Sequence, residues 1–185
     1  IFQMIRREVT GRYKGSMLGL LWSFIHPVFM LTIYTFVFSV VFQTRWNGDS
    51  DSKTKFALVL FAGLIVFNLF AECVNRAPTL ILSNVNYVKK VVFPLEILPI
   101  VSLGSALFHA IISVFVWLVA YLLINGLPHW TAVFLPIVLL PLLLMIVGLS
   151  WGMASLGVYL RDASQFIGIM ITILLFLSPI FFPSD

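Results

Sequence analysis

Arg12 to Pro27 reads RYKGSMLGLLWSFIHP, and within it a basic, surface-type sequence turns into a membrane span. The side chains of Arg12 and Lys14 suit the phosphate level of a cytoplasmic membrane face. Gly15, Ser16 and Gly19 loosen the helix enough for the chain to turn from lying in the interface to crossing it. From Leu20 the residues stay apolar for long enough to span. Upstream, Ile1, Phe2, Ile5, Val9 and Tyr13 recur at mostly four-residue spacing among Arg6, Arg7, Glu8 and Arg12. That pattern predicts an amphipathic helix lying in the interface over 1–19, the alternative being a solvated leader that happens to carry apolar residues.

Composition sets the class of the rest. Hydrophobic residues make up 61% of the 185, charged residues only 10%, and the mean hydropathy is +1.10. One soluble core could not hide that much apolar surface, so the chain is read as an integral membrane protein. Its apolar runs reach the length of about 20 residues that a crossing helix needs, and none alternates like an outer-membrane strand. The fold class is therefore all-α, a polytopic membrane helix bundle. A cleaved secretory signal does not fit the charged N-terminal segment. The single Cys73 rules out an intrachain disulfide and reads as a small packed hydrophobe.

Five spans are expected, at about 20–42, 56–75, 98–124, 132–156 and 166–182, within a transmembrane domain over 20–185. Gln43 to Lys55 is a polar loop with an interfacial Trp46, and NGLPHW, Asn125 to Trp130, makes a tight turn. Arg76 to Pro99 is the longest connection. Its Pro78, Pro94 and Pro99 argue against one continuous helix, while Leu80, Ile81, Leu82, Val85 and Val88 support a short helix parallel to the membrane. With this layout Arg6, Arg7, Arg12, Lys14, Arg76, Lys89, Lys90 and Arg161 share one side, and only Arg45, Lys53 and Lys55 lie on the other. The positive-inside rule then puts the N-terminus in the cytoplasm. Because the chain begins at Ile1 and ends at Asp185 just after an apolar run, it is expected to be a piece of a longer polypeptide.

Chemistry-bearing motifs are scarce. There is no GxxxxGK[ST] phosphate loop, no HExxH, no paired Cys or His with metal spacing and no GxSxG elbow. No catalytic residue, metal site or directly bound cofactor is expected, and any coupling to ATP and Mg must come through a partner. Within the spans, Glu72 and His109 are singled out. Glu72 lies one helical turn before Arg76, which suits an intramembrane ion pair; His109 is either a packed, hydrogen-bonded histidine or a substrate contact. Gly15 and Gly19 form one GxxxG, and Gly148 and Gly152 another, the second read as a close helix contact. The abundant aromatic residues suit packing and lipid contact, or stacking against sugar rings.

Three blocks carry a resemblance: RREVTGRYKGSMLGLLWSFIHPVFMLTIYTFVFSVVF at Arg6 to Phe42, NVNYVKKVVFPLEILPI at Asn84 to Ile100, and YLRDASQFIGIMITILLFLSPIFFP at Tyr159 to Pro183. Together they are similar to the permease subunits of bacterial polysaccharide-export ABC transporters of the type-2 membrane-domain family, nearest in likeness to exporters of O-antigen in lipopolysaccharide assembly. The resemblance implies a homodimer with six spans per subunit, of which five are visible here, and a cytoplasmic ABC ATPase subunit as partner. It implies that Arg12, Tyr13, Lys14, Leu18 and Gly19 form a gate meeting the headgroup of an undecaprenyl-diphosphate-linked polysaccharide. Attraction to bulk anionic lipid would call for the same cations. It also implies that Asn86, Tyr87, Val88, Lys89 and Lys90 lie in a coupling helix docked on the ATPase, where the plain reading is a positive-inside loop. Membrane lipids are the remaining expected partner, and nucleic acid is not one. Export of capsular polysaccharide or teichoic acid is the neighbouring alternative, and a membrane-embedded transferase acting on lipid-linked sugars is the alternative from another class.

Overall fold

The computed structural model describes residues 1–37, 50–84, 94–127, 130 and 134–180, with 50–55 described by backbone alone. Seven helices carry the description: α1 Phe2–Arg12, α2 Trp22–Phe36, α3 Ser50–Arg76, α4 Leu80–Ser83, α5 Ile97–Asn125, α6 Leu135–Tyr159 and α7 Ala163–Leu177. No strand occurs among the described residues. Helix is what hydrocarbon demands, since each backbone N–H and C=O must find its partner within the segment. Four stretches are long and apolar enough to cross a membrane: Gly19–Phe36, Phe56–Ser83, Ile97–Asn125 and Leu135–Tyr159. The protein is thus an all-α, multi-pass membrane bundle.

The second of these stretches is longer than proline content predicts. Pro78 does end the α-helical ladder at Arg76, but the chain passes through a 3₁₀ turn at Ala77–Thr79 and continues helical to Ser83. A 3₁₀ turn tolerates proline at its first positions because those N–H groups have no partner in the turn anyway. Of the short surface helix expected near Leu80 to Val88, the described part is therefore an extension of the span. Val85 and Val88 lie outside the described residues, as do 38–42 at the end of the first expected span, Trp46, and the Phe181 to Pro183 end of the last.

The core is built around α3. Leu69 and Cys73 of α3 pack with Leu103 and Ala106 of α5 and Ile146 of α6, and Val74 packs with Ile167 and Ile171 of α7. Cys73 is 1% exposed, as a small hydrophobe in that core should be. The Trp117 indole N–H donates to the Leu58 carbonyl at 2.8 Å, tying α5 to α3, and the Trp151 N–H donates to the Glu96 carbonyl at 3.0 Å. Lipid tails compete with side chains for apolar contact, so helix association in a membrane relies on close packing more than on exclusion of water.

Two glycines allow the closest approaches. A Cβ on Gly157 would overlap the Pro78 carbonyl, so α6 can meet the 3₁₀ turn only through a residue without a side chain. A Cβ on Gly104 would overlap the Ile5 side chain, which seats α1 on α5. The GxxxG at Gly148 and Gly152, by contrast, has no neighbour within 4 Å of either position. The tight contact of α6 thus falls one turn and a half further on than the motif implies.

The helix α1 forms as its periodicity predicts, but its apolar stripe is divided. Val9 is 5% exposed and Ile5 meets Gly104, whereas Ile1 and Phe2 remain 60% and 80% exposed. Protein covers the C-terminal half of the stripe, and the N-terminal half is left for the membrane interface. At the other end of the chain, α7 has 15 residues. At about 1.5 Å per residue it falls short of the roughly 30 Å of hydrocarbon. It stops at Ser178, extended ahead of Pro179, and Ile180 then packs on Gly63 of α3.

Replacing Gly157 with leucine should destabilise the fold by about 2–4 kcal/mol, because the clash is with backbone and cannot be relieved by a rotamer change. Gly152→Ala should stay within about 0.5 kcal/mol of wild type. Thermal unfolding of the purified protein in lipid nanodiscs compares the two, and equal melting temperatures would contradict the packing described.

Candidate functional site

The candidate site lies where the end of α1 meets α3 and α5. Its first component is a chain of four charges. The Arg12 guanidinium Nη2 pairs with Glu72 Oε1, and Arg76 Nη2 lies 2.6 Å from Glu8 Oε1. The expected Glu72–Arg76 pair is present but looser, with Nη1 3.9 Å from Oε1. Glu72 therefore answers first to Arg12, 60 residues away in sequence, and Arg76 to Glu8. The charges alternate as Glu8, Arg76, Glu72, Arg12, so the group sums to zero and fastens α1 lengthwise to α3. None is fully buried; side-chain exposures run from 22% to 35%, which keeps each pair weaker than a dry one and stronger than a fully solvated one.

The second component is Tyr13. Its hydroxyl lies 3.3 Å from His109 Nδ1, and the two rings meet edge to face with centroids 5.8 Å apart. Burial pushes the Tyr13 phenol above its ordinary pKa, Arg12 partly opposes this and Glu72 adds to it. The hydroxyl consequently keeps its proton, and its capacity to donate, across the physiological range. His109 Nε2 is buried without a hydrogen-bond partner among the described residues, so this histidine is packed and held from one side. Of its two expected roles, packing with a hydrogen bond is the one the geometry displays.

Beyond Tyr13 the chain articulates. Gly15 has φ +93° and Gly19 φ +49°, both in the left-handed region that glycine adopts at little cost. Between them Leu18 is 44% exposed and precedes a 3₁₀ turn at Gly19–Leu21 that leads into α2. Lys14 sits in this loop, exposed, and makes no ion pair among the described residues. The RYK triplet thus divides its labour: Arg12 is paired to Glu72, Tyr13 is bonded to His109, and Lys14 is left facing outward. Asn86, Tyr87, Val88, Lys89 and Lys90 lie outside the described residues.

Sequence reading passed over His26. It stands one residue before Pro27 in α2, and it lines, with Glu72, His109 and Ser113, a cavity of about 300 Å³ that also reaches Arg12 and Tyr13. A charge-capable side chain inside an apolar span is the signal that marks it, the same one that marks His109. On the other side of α1 a cavity of about 580 Å³ lies between Met4, Glu8, Arg76, Leu80 and Leu98. Open space therefore borders α1 both along Met4 to Glu8 and at its end, where Arg12 and Tyr13 make polar contacts. Among the described residues no group of three His, Cys, Asp or Glu side chains could hold a metal ion.

Comparison with known proteins adds a relationship. The family model described as ABC-2 type transporter matches residues 1–185. The chain is 27% identical over 183 residues to the O-antigen export system permease protein RfbA of Myxococcus xanthus, an alignment covering 99% of this chain and 68% of that protein. It is 26% identical over 181 residues to a protein of the same name from Klebsiella pneumoniae, covering 97% of this chain and 67% of the relative.

A double-mutant cycle on Arg12→Ala and Glu72→Ala should give a coupling of about 1 kcal/mol in unfolding free energy, the value for a half-buried pair. The exchanged pair Arg12→Glu with Glu72→Arg should recover part of what either single reversal loses. Additive single effects would mean that the two side chains act independently.

Proposed function

We propose that this chain, which belongs to the ABC-2 type transporter family, is the membrane-spanning permease of an exporter for undecaprenyl-diphosphate-linked, O-antigen-type polysaccharide. It works as a transport subunit in the bacterial inner membrane with its N-terminus in the cytoplasm. A separate cytoplasmic ABC ATPase binds ATP and Mg and supplies the driving force, and two copies of the permease enclose the passage. The observation that carries this reading is the similarity, over 97–99% of this chain and 67–68% of the relatives, to permeases named for O-antigen export.

The geometry supports a gate at the end of α1. A diphosphate headgroup carries concentrated negative charge and needs fixed cations at the membrane surface. Lys14 stands exposed on a loop articulated by Gly15 and Gly19 and takes the first contact. Arg12 is a second cation within one turn, paired with Glu72. Tyr13 fixes the loop to α5 through His109. Lys89 and Lys90, with Asn86, Tyr87 and Val88, form the contact to the ATPase in this reading.

Cells lacking their own permease, supplied with the full chain and its cognate ATPase, provide the test. Undecaprenyl-linked polymer should reach the periplasmic face, by surface labelling, only when both subunits are present and the ATPase is active. Lys14→Ala should slow export about tenfold or more, the effect of losing one charge-assisted contact. Normal export without this chain would end the exporter reading; an altered polymer structure with unaltered location would favour a transferase.

A further inference from the structure

The third component of the polar interior is a cavity of about 440 Å³ between α2, α3 and α5, which shares His26, Glu72, His109 and Ser113 with the smaller one beneath the gate. Together they make one recess running from Arg12 and Tyr13 into the bundle. Its volume lies in the range of about 300–1,000 Å³ typical of small-molecule sites. Three helices send their polar residues to it. On α3, Asn68, Glu72 and Asn75 follow one another at four- and three-residue spacing on an otherwise apolar span; on α5, His109 and Ser113 are one turn apart; on α2, His26 and Tyr34 are two turns apart.

Polar side chains inside a span are costly and face the bundle interior or a water-filled passage. Asn68, Asn75 and His26 are exposed in the protomer and make no hydrogen bond among the described residues. Hydrocarbon cannot satisfy them, so this face of α3 borders something that both donates and accepts hydrogen bonds. Its charge is already balanced, because the Glu72 carboxylate is engaged by Arg12 and Arg76. What remains is a set of amide, imidazole, hydroxyl and phenol groups beside the tilted ring pair of Tyr34 and Phe61, with centroids 6.3 Å apart. Amides and hydroxyls beside an aromatic surface match a ring with hydroxyls on its edge and C–H groups on its face.

We propose that the recess between α2, α3 and α5 is a saccharide subsite, which takes the neutral sugar unit attached to the lipid carrier's diphosphate. It rests on the export reading and deepens it. The gate at Lys14 holds the diphosphate, and the sugar next to it enters the recess, where Asn68 and Asn75 bond its hydroxyls. The permease then distinguishes a loaded carrier from an empty one before transport begins.

Binding to the full-length permease–ATPase complex in nanodiscs would be measured for three probes: undecaprenyl diphosphate alone, and the same lipid bearing one hexose or one N-acetylhexosamine. The wild type should bind at least one sugar-bearing probe about tenfold more tightly than the bare diphosphate. Asn68→Leu and Asn75→Leu, apolar replacements suited to a membrane helix, should bring that probe within about twofold of the bare lipid and leave bare-lipid affinity unchanged. Ser113→Ala serves as a milder variant should either leucine fail to fold. Equal wild-type affinity for all three probes, or an equal loss for loaded and bare lipid in the variants, overturns the subsite while export can still stand. Absence of binding to every probe, together with normal polymer export in cells lacking the permease, overturns the export reading itself.

Discussion

The Glu72 carboxylate stands between two guanidinium groups, and the position of α1 depends on it. Arg12 reaches it from the end of α1 and Arg76 from one turn further along α3, while Glu8 holds Arg76 from the other side. Without a carboxylate on α3 the two arginines would confront each other across the helix junction, and α1 would lose the ion pair at its C-terminal end, keeping Glu8–Arg76 and the apolar contacts of Ile5 and Val9. The arrangement holds α1 in place without locking it. Pairs with a quarter or so of their surface in water hold a helix through several modest interactions, each of which a stronger anion can displace. A deeply buried pair would have cost more to assemble and far more to break.

This inverts the simplest view of the RYK triplet, in which every cation near the membrane surface is available to lipid or substrate. Arg12 has a partner inside the protein, so its encounter with a phosphate is an exchange of partners rather than the filling of a vacancy. Lys14 has none among the described residues and immediately precedes Gly15, the first of two glycines with positive φ. Were Arg12 to exchange, Glu72 would still have Arg76 3.9 Å away, so the negative charge would not be left alone. A headgroup that engages both cations would therefore loosen α1 at its C-terminal end while Ile5 and Val9 keep it attached further back.

How much of this was legible in the sequence follows from the range of the interactions. Helices Ile97–Asn125 and Leu135–Tyr159, each long and apolar enough to cross a membrane, lie where spans at 98–124 and 132–156 are expected, because apolar length is a local property. The amphipathic α1 and the glycine articulation after it are local too. The helix through Pro78 was not legible, since the turn is held by packing against Gly157, and nothing near Pro78 announces a glycine so far along the chain. The Glu72–Arg76 pairing was read from spacing and is real, yet a partner from α1 lies closer. Tyr13 and His109, separated by 96 residues, could be matched only once α1 was seated on α5. His26 is the different case: it stands within an expected span and was open to the same test that picked out His109.

Asn68 and Asn75 show why polar residues inside a span repay attention singly as well as in clusters. Neither belongs to a motif, neither is charged, and each alone reads as a tolerated amide. Placed one turn to either side of Glu72 they form a stripe, and the stripe faces the side chains that α2 and α5 contribute. A helix bundle with lipid on every outer face has no use for such a stripe, whereas one that borders an aqueous passage needs it, since water and sugar hydroxyls must find partners where hydrocarbon offers none. Among the lining residues the carboxylate and guanidinium lie at the mouth of this recess, where Arg12 and Glu72 meet, and the interior beyond carries no acid or Arg/Lys side chain. That order is what a molecule with an anionic head and an uncharged, hydroxyl-rich body would require, because a cation deeper in would hold the anion back and an apolar wall would refuse the hydroxyls.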